Sequence, residues 1–210
     1  MNTVQHHQKL IILDFDHTVF NTTRYVEALK TEFNKKFGID ADEFMKQRDA
    51  VKQCCVVIDI DRFVHLLPNP NKQEMKDALH RIIRTKSASF IFSDVIPFIE
   101  RHKDRFDIIV STHGDQKLQT EKIRHSNLPQ EVQSLISTQS KEEVIRPFTE
   151  KYSNVYFIDD KAVNIDAVKT ALPNVITYFM QRQEDSPYAA ASTKCECADH
   201  VVKGLDFDID

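Results

Sequence analysis

Residues 10–20, LIILDFDHTVF, place two carboxylates at the end of a short apolar run. The run is rich in β-branched residues and has the length of a buried strand. Side chains alternate along an extended chain, so Asp14 and Asp16 point the same way. Anions this close repel each other and raise at least one pKa unless they share a cation or a proton. The pattern predicts a functional site, the alternative being that both aspartates cap a helix and Thr18 is an ordinary turn residue.

Three further segments carry polar side chains that would complete such a site. One apolar run ends on the hydroxyls of Ser111 and Thr112. A later apolar run ends on a second carboxylate pair, Asp159 and Asp160. Between the two runs, Lys141 opens a helical pattern. This ordered set favours an enzyme site over a helix cap.

In this order the segments resemble the four motifs of the haloacid dehalogenase (HAD) superfamily of phosphohydrolases. The resemblance extends over about residues 9–207, nearly the whole chain. The motifs are Asp-x-Asp-x-Thr, a Ser or Thr that closes a strand, a Lys, and an acidic pair followed by a later Asp or Asn. The matching residues are Asp14, Asp16 and Thr18; Ser111; Lys141; and Asp159, Asp160 and Asn164.

The resemblance implies a role for each carboxylate of the first motif. Asp14 would attack phosphorus and form an aspartyl-phosphate, which splits hydrolysis into two easier steps. Asp16 would protonate the leaving oxygen and then deprotonate the attacking water, with a pKa raised by its anionic neighbours. Family members that cleave carbon–halogen bonds lack this second aspartate, so Asp16 favours a phosphatase or phosphomutase. His17 replaces the Gly usual before the Thr, which leaves the shape of the turn in question.

The same resemblance implies a Mg²⁺ cofactor, a hard cation that prefers oxygen ligands. Its ligands would be the Asp14 carboxylate, the backbone carbonyl of Asp16 and the Asp160 carboxylate. The residues that would order these ligands are Thr18, Asp159 and Asn164.

Phosphate binding would involve residues of the second and third motifs. Lys141 would act as a catalytic cation beside the nucleophile and the transferred phosphate. Ser111 would act with it, and Thr112 would help bind the phosphate near a helix start. The alternative for Lys141 is an exposed lysine at a helix start, and Lys161 is the second candidate for the third motif.

Strands and helices alternate along most of the chain, which predicts an α/β fold, a Rossmann-like three-layer core with a parallel sheet. Residues 21–88 break this rhythm and carry only helical patterns. In the resembling family an insertion at this point is a helical C1 cap, so we expect a HAD-like core of residues 1–20 and 89–210 and a cap of residues 21–88. A packing subdomain without a lid role is the alternative. The cap residues that could meet an anionic substrate are Arg24, Arg48 and Lys52.

Composition narrows the class of protein further. The chain has 210 residues, of which 41% are hydrophobic, and a net charge of −4, which does not suggest a nucleic-acid partner. No apolar run approaches the roughly 20 residues of a membrane span, and residues 1–9 lack the apolar centre of a signal peptide. We therefore expect a cytoplasmic protein, with delivery to another compartment or a host cell left open. The four cysteines are expected to be reduced and non-catalytic.

Three functions follow from the resemblance. The first is a Mg²⁺-dependent phosphatase that acts on a small phosphometabolite or on a phosphoprotein, including phosphotyrosine. The second is a phosphotransferase or phosphomutase with the same nucleophile. The third is a non-catalytic phosphate-binding or interaction protein, and the retained set of repelling carboxylates argues against it.

Overall fold

A computed structural model describes residues 8–55, 57–184 and 195–210 of the chain. In these residues a six-stranded parallel sheet has the strand order β3-β2-β1-β4-β5-β6. The strands are β1 (Lys9–Asp14), β2 (Asp107–His113), β3 (Gln133–Ser137), β4 (Asn154–Asp159), β5 (Ile176–Met180) and β6 (His200–Val202). The predicted α/β class with a parallel sheet is confirmed.

Helices cover this sheet on both faces. They are α1 (Thr22–Phe37), α2 (Ala41–Cys54), α3 (Ile60–Leu66), α4 (Lys72–Lys86), α5 (Val95–His102), α6 (Gln116–Arg124), α7 (Lys141–Lys151) and α8 (Ala162–Ala171). A 3-10 turn, Ser87–Phe90, follows α4. Among the described residues, no helix combines the length and the apolar character needed to cross a membrane.

Strand β1 lies at the centre because it is apolar on both faces. Ile11 and Leu13 pack into the core beneath α5, whereas Leu10 and Ile12 pack into the core beneath α7 and α8. A continuous apolar run is typical of a parallel strand buried on both sides. The neighbours of β1 are β2 and β4, so the ends of the three strands that carry motif residues lie side by side.

Helices α1–α4 occupy the stretch that the sequence predicted to be helical. An aromatic column holds them together: the ring centroids of Phe33 and Phe44 are 5.3 Å apart and those of Phe44 and Phe63 are 4.9 Å apart. Helix α1 begins where the Asn21 side chain accepts a hydrogen bond from the Arg24 amide and ends at Gly38, whose φ of 66° suits glycine. The buried residues of these four helices form one continuous apolar core with those of β1, β2 and α5.

Two adjacent segments connect this helical region to the rest of the chain: residues 18–21 before α1, called here the entry passage, and residues 90–94 after α4, called here the exit passage. The Asn21 amide donates to the Phe90 carbonyl at 2.7 Å, and the Phe92 amide donates to the Val19 carbonyl at 3.2 Å. The entry and exit of the region are therefore hydrogen-bonded to each other directly above the first motif.

Candidate active site

The candidate nucleophile, Asp14, lies at the carboxyl end of β1 opposite Ser111 of β2. Lys141 donates to the Asp14 carboxylate at 2.6 Å and to the Ser111 carbonyl at 2.9 Å, and the Ser111 hydroxyl is 3.4 Å from the same ammonium. A capping box between Ser140 and Glu143 begins α7 and directs Lys141 at its first position toward the sheet. Lys141, the first candidate for the third motif, thus contacts the candidate nucleophile directly.

An acidic cluster surrounds the end of β1. One carboxylate oxygen from each of Asp14, Asp159 and Asp160 can be chosen so that all three lie within 4.8 Å of one another. The Asp159 carboxylate accepts hydrogen bonds from the Lys161 amide at 2.8 Å and the Asn164 amide group at 2.9 Å. Both carboxylate oxygens of Asp160 are buried and accept no hydrogen bond from any described residue. Asp160 therefore faces the cluster as an unpartnered group.

Electrostatics make this cluster costly without a cation. Burial and the negative charges of Asp159 and Asp14 raise the pKa of Asp160 to about 9. Burial and the charge of Asp14 raise the pKa of Asp159 to about 7, although Lys141 opposes the shift. A buried cluster of mutually repelling carboxylates, in which Asp160 has no hydrogen-bond partner among the described residues, fits a hard divalent cation. The residues present can thus accommodate the expected Mg²⁺.

Asp16 points into a different environment from the one expected. Its carboxylate accepts hydrogen bonds from the Thr22 hydroxyl at 2.6 Å, from the Gln119 amide group at 2.7 Å and from the Lys122 ammonium. Burial alone would raise the pKa of Asp16, but the charge of Lys122 and these hydrogen bonds outweigh it and hold the pKa well below its usual range. The predicted upward shift is wrong, because α6 supplies a cation that no feature of the first motif reveals.

Lys122 is the main site residue that sequence reasoning missed. It is only 3% exposed, and its ammonium lies 4.6 Å from the ring centroid of Phe20 and 5.4 Å from that of Tyr25. The spacing of Gln119 and Lys122 places them on one face of α6, which was a usable signal. A lysine on an amphipathic helix is normally exposed, however, so the spacing alone does not indicate which face points inward.

The turn after β1 places His17 in a left-handed conformation. His17 has a φ of 64°, in the left-handed region where the usual Gly is unstrained and where His is one of the more tolerated residues. The His17 amide donates to the Phe20 carbonyl at 2.8 Å, which closes the turn. Thr18 is fully buried, and its hydroxyl meets no described hydrogen-bond partner. His17 therefore adopts the left-handed conformation itself, in a turn closed by its own amide.

A cavity of about 210 Å³ opens between this turn and the helical region. Its lining includes Asp16 and the cationic side chains of Arg48, Lys52, Lys122 and Lys161. Burial and the positive charges of Arg48 and Lys161 lower the pKa of Lys52, so these cations lie close enough to repel. Apolar walls come from residues that include Leu29, Phe44, Phe63 and Leu118.

Two predicted substrate-binding residues lie elsewhere. Arg24 is exposed and outside the lining of this cavity, because the helical face that carries Tyr25 and Leu29 inward turns Arg24 toward solvent. Thr112 is buried beside Ser111 in β2 and is also outside the lining. Arg48 and Lys52 are thus the predicted cap residues that the structure brings to the cavity beside Asp16.

Comparisons with known proteins show similarity at the level of structure. No protein-family model matches the sequence, and no curated protein was found to match it. A haloacid dehalogenase-like hydrolase from Burkholderia xenovorans has 19% identity and a TM-score of 0.76, over 96% of this chain and 94% of its own. The HAD-hydrolase YfnB from Bacillus subtilis, solved bound to magnesium, has 13% identity and a TM-score of 0.66, with 96% of each chain covered.

A third similar structure is the L-2-haloacid dehalogenase from Xanthobacter autotrophicus, with 12% identity and a TM-score of 0.63 over 95% of each chain. At these identities the comparison establishes similarity of fold only. The aligned part of the chain includes both the sheet and the helical region. Together with the ordered motif residues at the strand ends, the comparison shows that this chain has the fold of the haloacid dehalogenase-like hydrolases.

Proposed function

We propose that this protein is a Mg²⁺-dependent phosphatase that hydrolyses phosphomonoesters through an aspartyl-phosphate intermediate. The observation that carries the proposal is the arrangement at the end of β1. There Asp14 contacts the Lys141 ammonium at 2.6 Å and faces the unpartnered carboxylate of Asp160. Phosphoryl transfer requires a nucleophile beside groups that neutralise the phosphate oxygens, and this arrangement supplies both.

In the proposed reaction, an Asp14 carboxylate oxygen forms a bond to phosphorus while the bond from phosphorus to the leaving oxygen breaks. The leaving oxygen takes a proton from Asp16, to which the Lys122 ammonium can relay one. Lys141 lies near enough to Asp14 to hold both the nucleophile and a phosphate oxygen. Water then attacks the phosphorus of the aspartyl-phosphate and gives its proton to Asp16, which releases phosphate and restores Asp14. The contact with Lys122 favours the ionised form of Asp16, the form needed for this second step.

A divalent cation would bind the carboxylates of Asp14 and Asp160 and the backbone carbonyl of Asp16. When bound, Mg²⁺ would neutralise negative charge on the phosphate and relieve the repulsion within the acidic cluster. Asp159 would orient the cluster without binding the ion, since its oxygens are engaged by the Lys161 amide and the Asn164 side chain.

Hydrolysis is preferred to the two alternatives for chemical reasons. L-2-Haloacid dehalogenases share the fold, but the resemblance implies that such enzymes lack a counterpart of Asp16. A phosphotransferase or phosphomutase would use the same nucleophile and would differ only in the acceptor of the phosphoryl group. A non-catalytic phosphate-binding protein would have no physical reason to retain the mutually repelling Asp14, Asp159 and Asp160.

We propose further that α1–α4 form a C1-type cap and that their cavity receives the body of an anionic substrate. Arg48 and Lys52 reach the cavity from α2, and Lys161 reaches it from the residue after the acidic pair. These cations, together with apolar walls, suit a small phosphometabolite. A phosphoprotein substrate would need the cavity to admit a peptide chain, and kinetics on a phosphotyrosyl peptide would distinguish the two.

The test is phosphate release from p-nitrophenyl phosphate with and without Mg²⁺. Asp14→Asn should abolish turnover, because the amide keeps the shape but is not a nucleophile. Asp104→Asn, at an exposed position far from the cluster, is the control and should turn over like the wild type. Turnover of Asp14→Asn at the wild-type rate would refute the mechanism, whereas turnover in EDTA would refute only the metal. Transfer of the phosphoryl group to an added sugar phosphate, with little free phosphate, would favour the phosphomutase.

A further inference from the structure

One buried side chain joins the entry and the exit of the helical region. The Arg182 guanidinium donates from Nε and Nη2 to the Thr18 carbonyl at 3.1 and 2.8 Å, and from Nη1 to the Asp94 carboxylate at 2.6 Å. Thr18 precedes α1, and Asp94 follows the turn after α4. Arg182 itself follows β5, at the carboxyl edge of the sheet where the acidic cluster lies. A single residue thus ties both passages to the sheet.

The surroundings of Arg182 fix its orientation. The residue is 4% exposed, and its guanidinium carbon lies 4.0 Å from the ring centroid of Phe92 in the exit passage. The planar fork of Arg matches two donors to one carbonyl while a third reaches the carboxylate, an arrangement that Lys cannot reproduce. Burial of such a charge is tolerable only with a partner like Asp94.

The carboxyl-terminal segment also contacts Asp94, the partner of Arg182. The Leu205 amide donates to the Asp94 carboxylate at 2.7 Å. At Gly204 a Cβ would lie 2.9 Å from the same Asp94 oxygen, so the close approach of the backbone depends on glycine there. The segment after β6 therefore contacts the same Asp94 oxygen that accepts the hydrogen bond from Arg182.

We infer that Arg182 is a positioning residue for the catalytic turn. Its two hydrogen bonds fix the Thr18 carbonyl, and Thr18 lies in the turn closed by bonds from the Val19 and Phe20 amides to the Phe15 carbonyl. The same turn carries Asp16. Arg182 is absent from the lining of the cavity beside Asp16, so it acts through the backbone and not on substrate. Displacements of about 1 Å in a catalytic group can cost about a hundredfold in rate.

Two substitutions separate positioning from simple stability. Arg182→Lys keeps the charge and can still pair with Asp94, but it loses the paired donation to Thr18. Arg101→Lys is the control, because Arg101 also donates to a backbone carbonyl, but to that of Phe207 in the carboxyl-terminal segment, at 3.1 Å, and not to the turn. We expect Arg182→Lys to lower kcat for p-nitrophenyl phosphate about tenfold or more with little change in KM. Arg101→Lys should leave both constants unchanged.

Hydrogen exchange provides a readout that does not depend on catalysis. The Phe20 and Phe92 amides, which bond within the turn and across the two passages, should exchange faster in Arg182→Lys and at the wild-type rate in Arg101→Lys. If Arg182→Lys fails to fold, Asp94→Asn supplies the weaker form of the same change and should act on the same amides.

The expected change in kcat rests on the proposed function, whereas the expected change in hydrogen exchange does not. The two measurements therefore test the inference and the proposed function separately. Unchanged exchange at Phe20 and Phe92 would overturn the positioning role, and so would a uniform acceleration that includes the amides of β1 and β2. Selective acceleration in Arg182→Lys, combined with a wild type that releases no phosphate, would uphold the positioning of the turn while refuting the phosphatase.

Discussion

The ammonium of Lys122 donates a hydrogen bond to the Asp16 carboxylate, although 106 residues separate the two in the sequence. The side chain of Lys122 is 4% exposed and that of Asp16 is 24% exposed, so solvent screens the pair only in part. The pair keeps Asp16 ionised beside the cavity, and it links α6 to the first motif.

Replacing this lysine should destabilise the protein in a pH-dependent way. Lys122→Met leaves Asp16 without its cation, and loss of one partner of a buried pair costs about 3 kcal/mol near neutral pH. The folded-state pKa of Asp16 lies below its ordinary value of 3.8, so the stabilisation is present above that value and fades as the pH falls below it. Urea denaturation between pH 3 and 7 measures the difference. Lys117→Met, at an exposed position of the same helix, should cost nothing measurable.

The proposed proton transfer from Asp16 to the leaving oxygen, with Lys122 as the relay that resupplies the proton, predicts a dependence on the leaving group. Asp16→Asn should retain part of its aspartyl-phosphate formation with p-nitrophenyl phosphate, whose leaving group needs little help from a proton. With an alkyl phosphate the loss should be larger by about a hundredfold. Single-turnover kinetics with both substrates measure the two losses, and equal losses would contradict the acid–base role.

The acidic cluster predicts opposite effects of Asp160→Asn without and with metal. The folded-state pKa of Asp160 is raised to about 9, so in metal-free protein its contribution to stability is complete below 3.8 and is lost as the pH rises toward 9. Asp160→Asn should therefore be more stable than the wild type at pH 8 in EDTA, by about 1 kcal/mol or more. The difference should vanish near pH 4.

Added Mg²⁺ should raise the Tm of the wild type in proportion to its binding free energy and should barely raise that of Asp160→Asn. Differential scanning calorimetry in EDTA and in Mg²⁺ measures both effects. An identical Mg²⁺-induced shift in the variant would remove Asp160 from the metal site.

The cations of α2 predict a split between substrates. Arg48→Ala or Lys52→Ala should raise KM for an anionic phosphometabolite about tenfold while barely changing the constants for p-nitrophenyl phosphate, which lacks a second charged group. Lys46→Ala, at an exposed position of the same helix, is the control. Unchanged constants on a sugar phosphate and on a phosphotyrosyl peptide alike would remove both residues from the site.

The sequence predicted the strands and helices well where apolar residues follow the spacing of a strand or of a helix and are also buried in the structure. The apolar runs give β1 and β4 with the observed ends, and the 3.6-residue periodicity gives α5, α6 and α7. The apolar pattern around β5 does not mark its start: the Val175 amide donates to the Leu172 carbonyl in a turn, so the strand begins at Ile176. Such ends depend on individual hydrogen bonds rather than on hydropathy.

Some residues of the candidate site could be predicted from the sequence and others could not. Side chains that lie at strand ends, such as Asp14, Ser111 and Asp160, are visible in sequence because parallel strands end at a common edge. Lys122 and Arg182 are not visible, because each acts through a contact between segments distant in sequence, and a buried cation resembles an exposed one in any local pattern. The electrostatic environment of Asp16 therefore required the tertiary structure.

Adjacent residues of α6 face two parts of the molecule. Glu121 contacts His80 of α4 and lies 3.7 Å from Arg84 of the same helix, while Lys122 contacts Asp16. A movement of α4 would therefore be transmitted through α6 to Lys122 and to Asp16. In the proposed reaction this links the position of α4 to proton transfer at Asp16, so a compound bound between α4 and α6 would lower activity without contacting the acidic cluster.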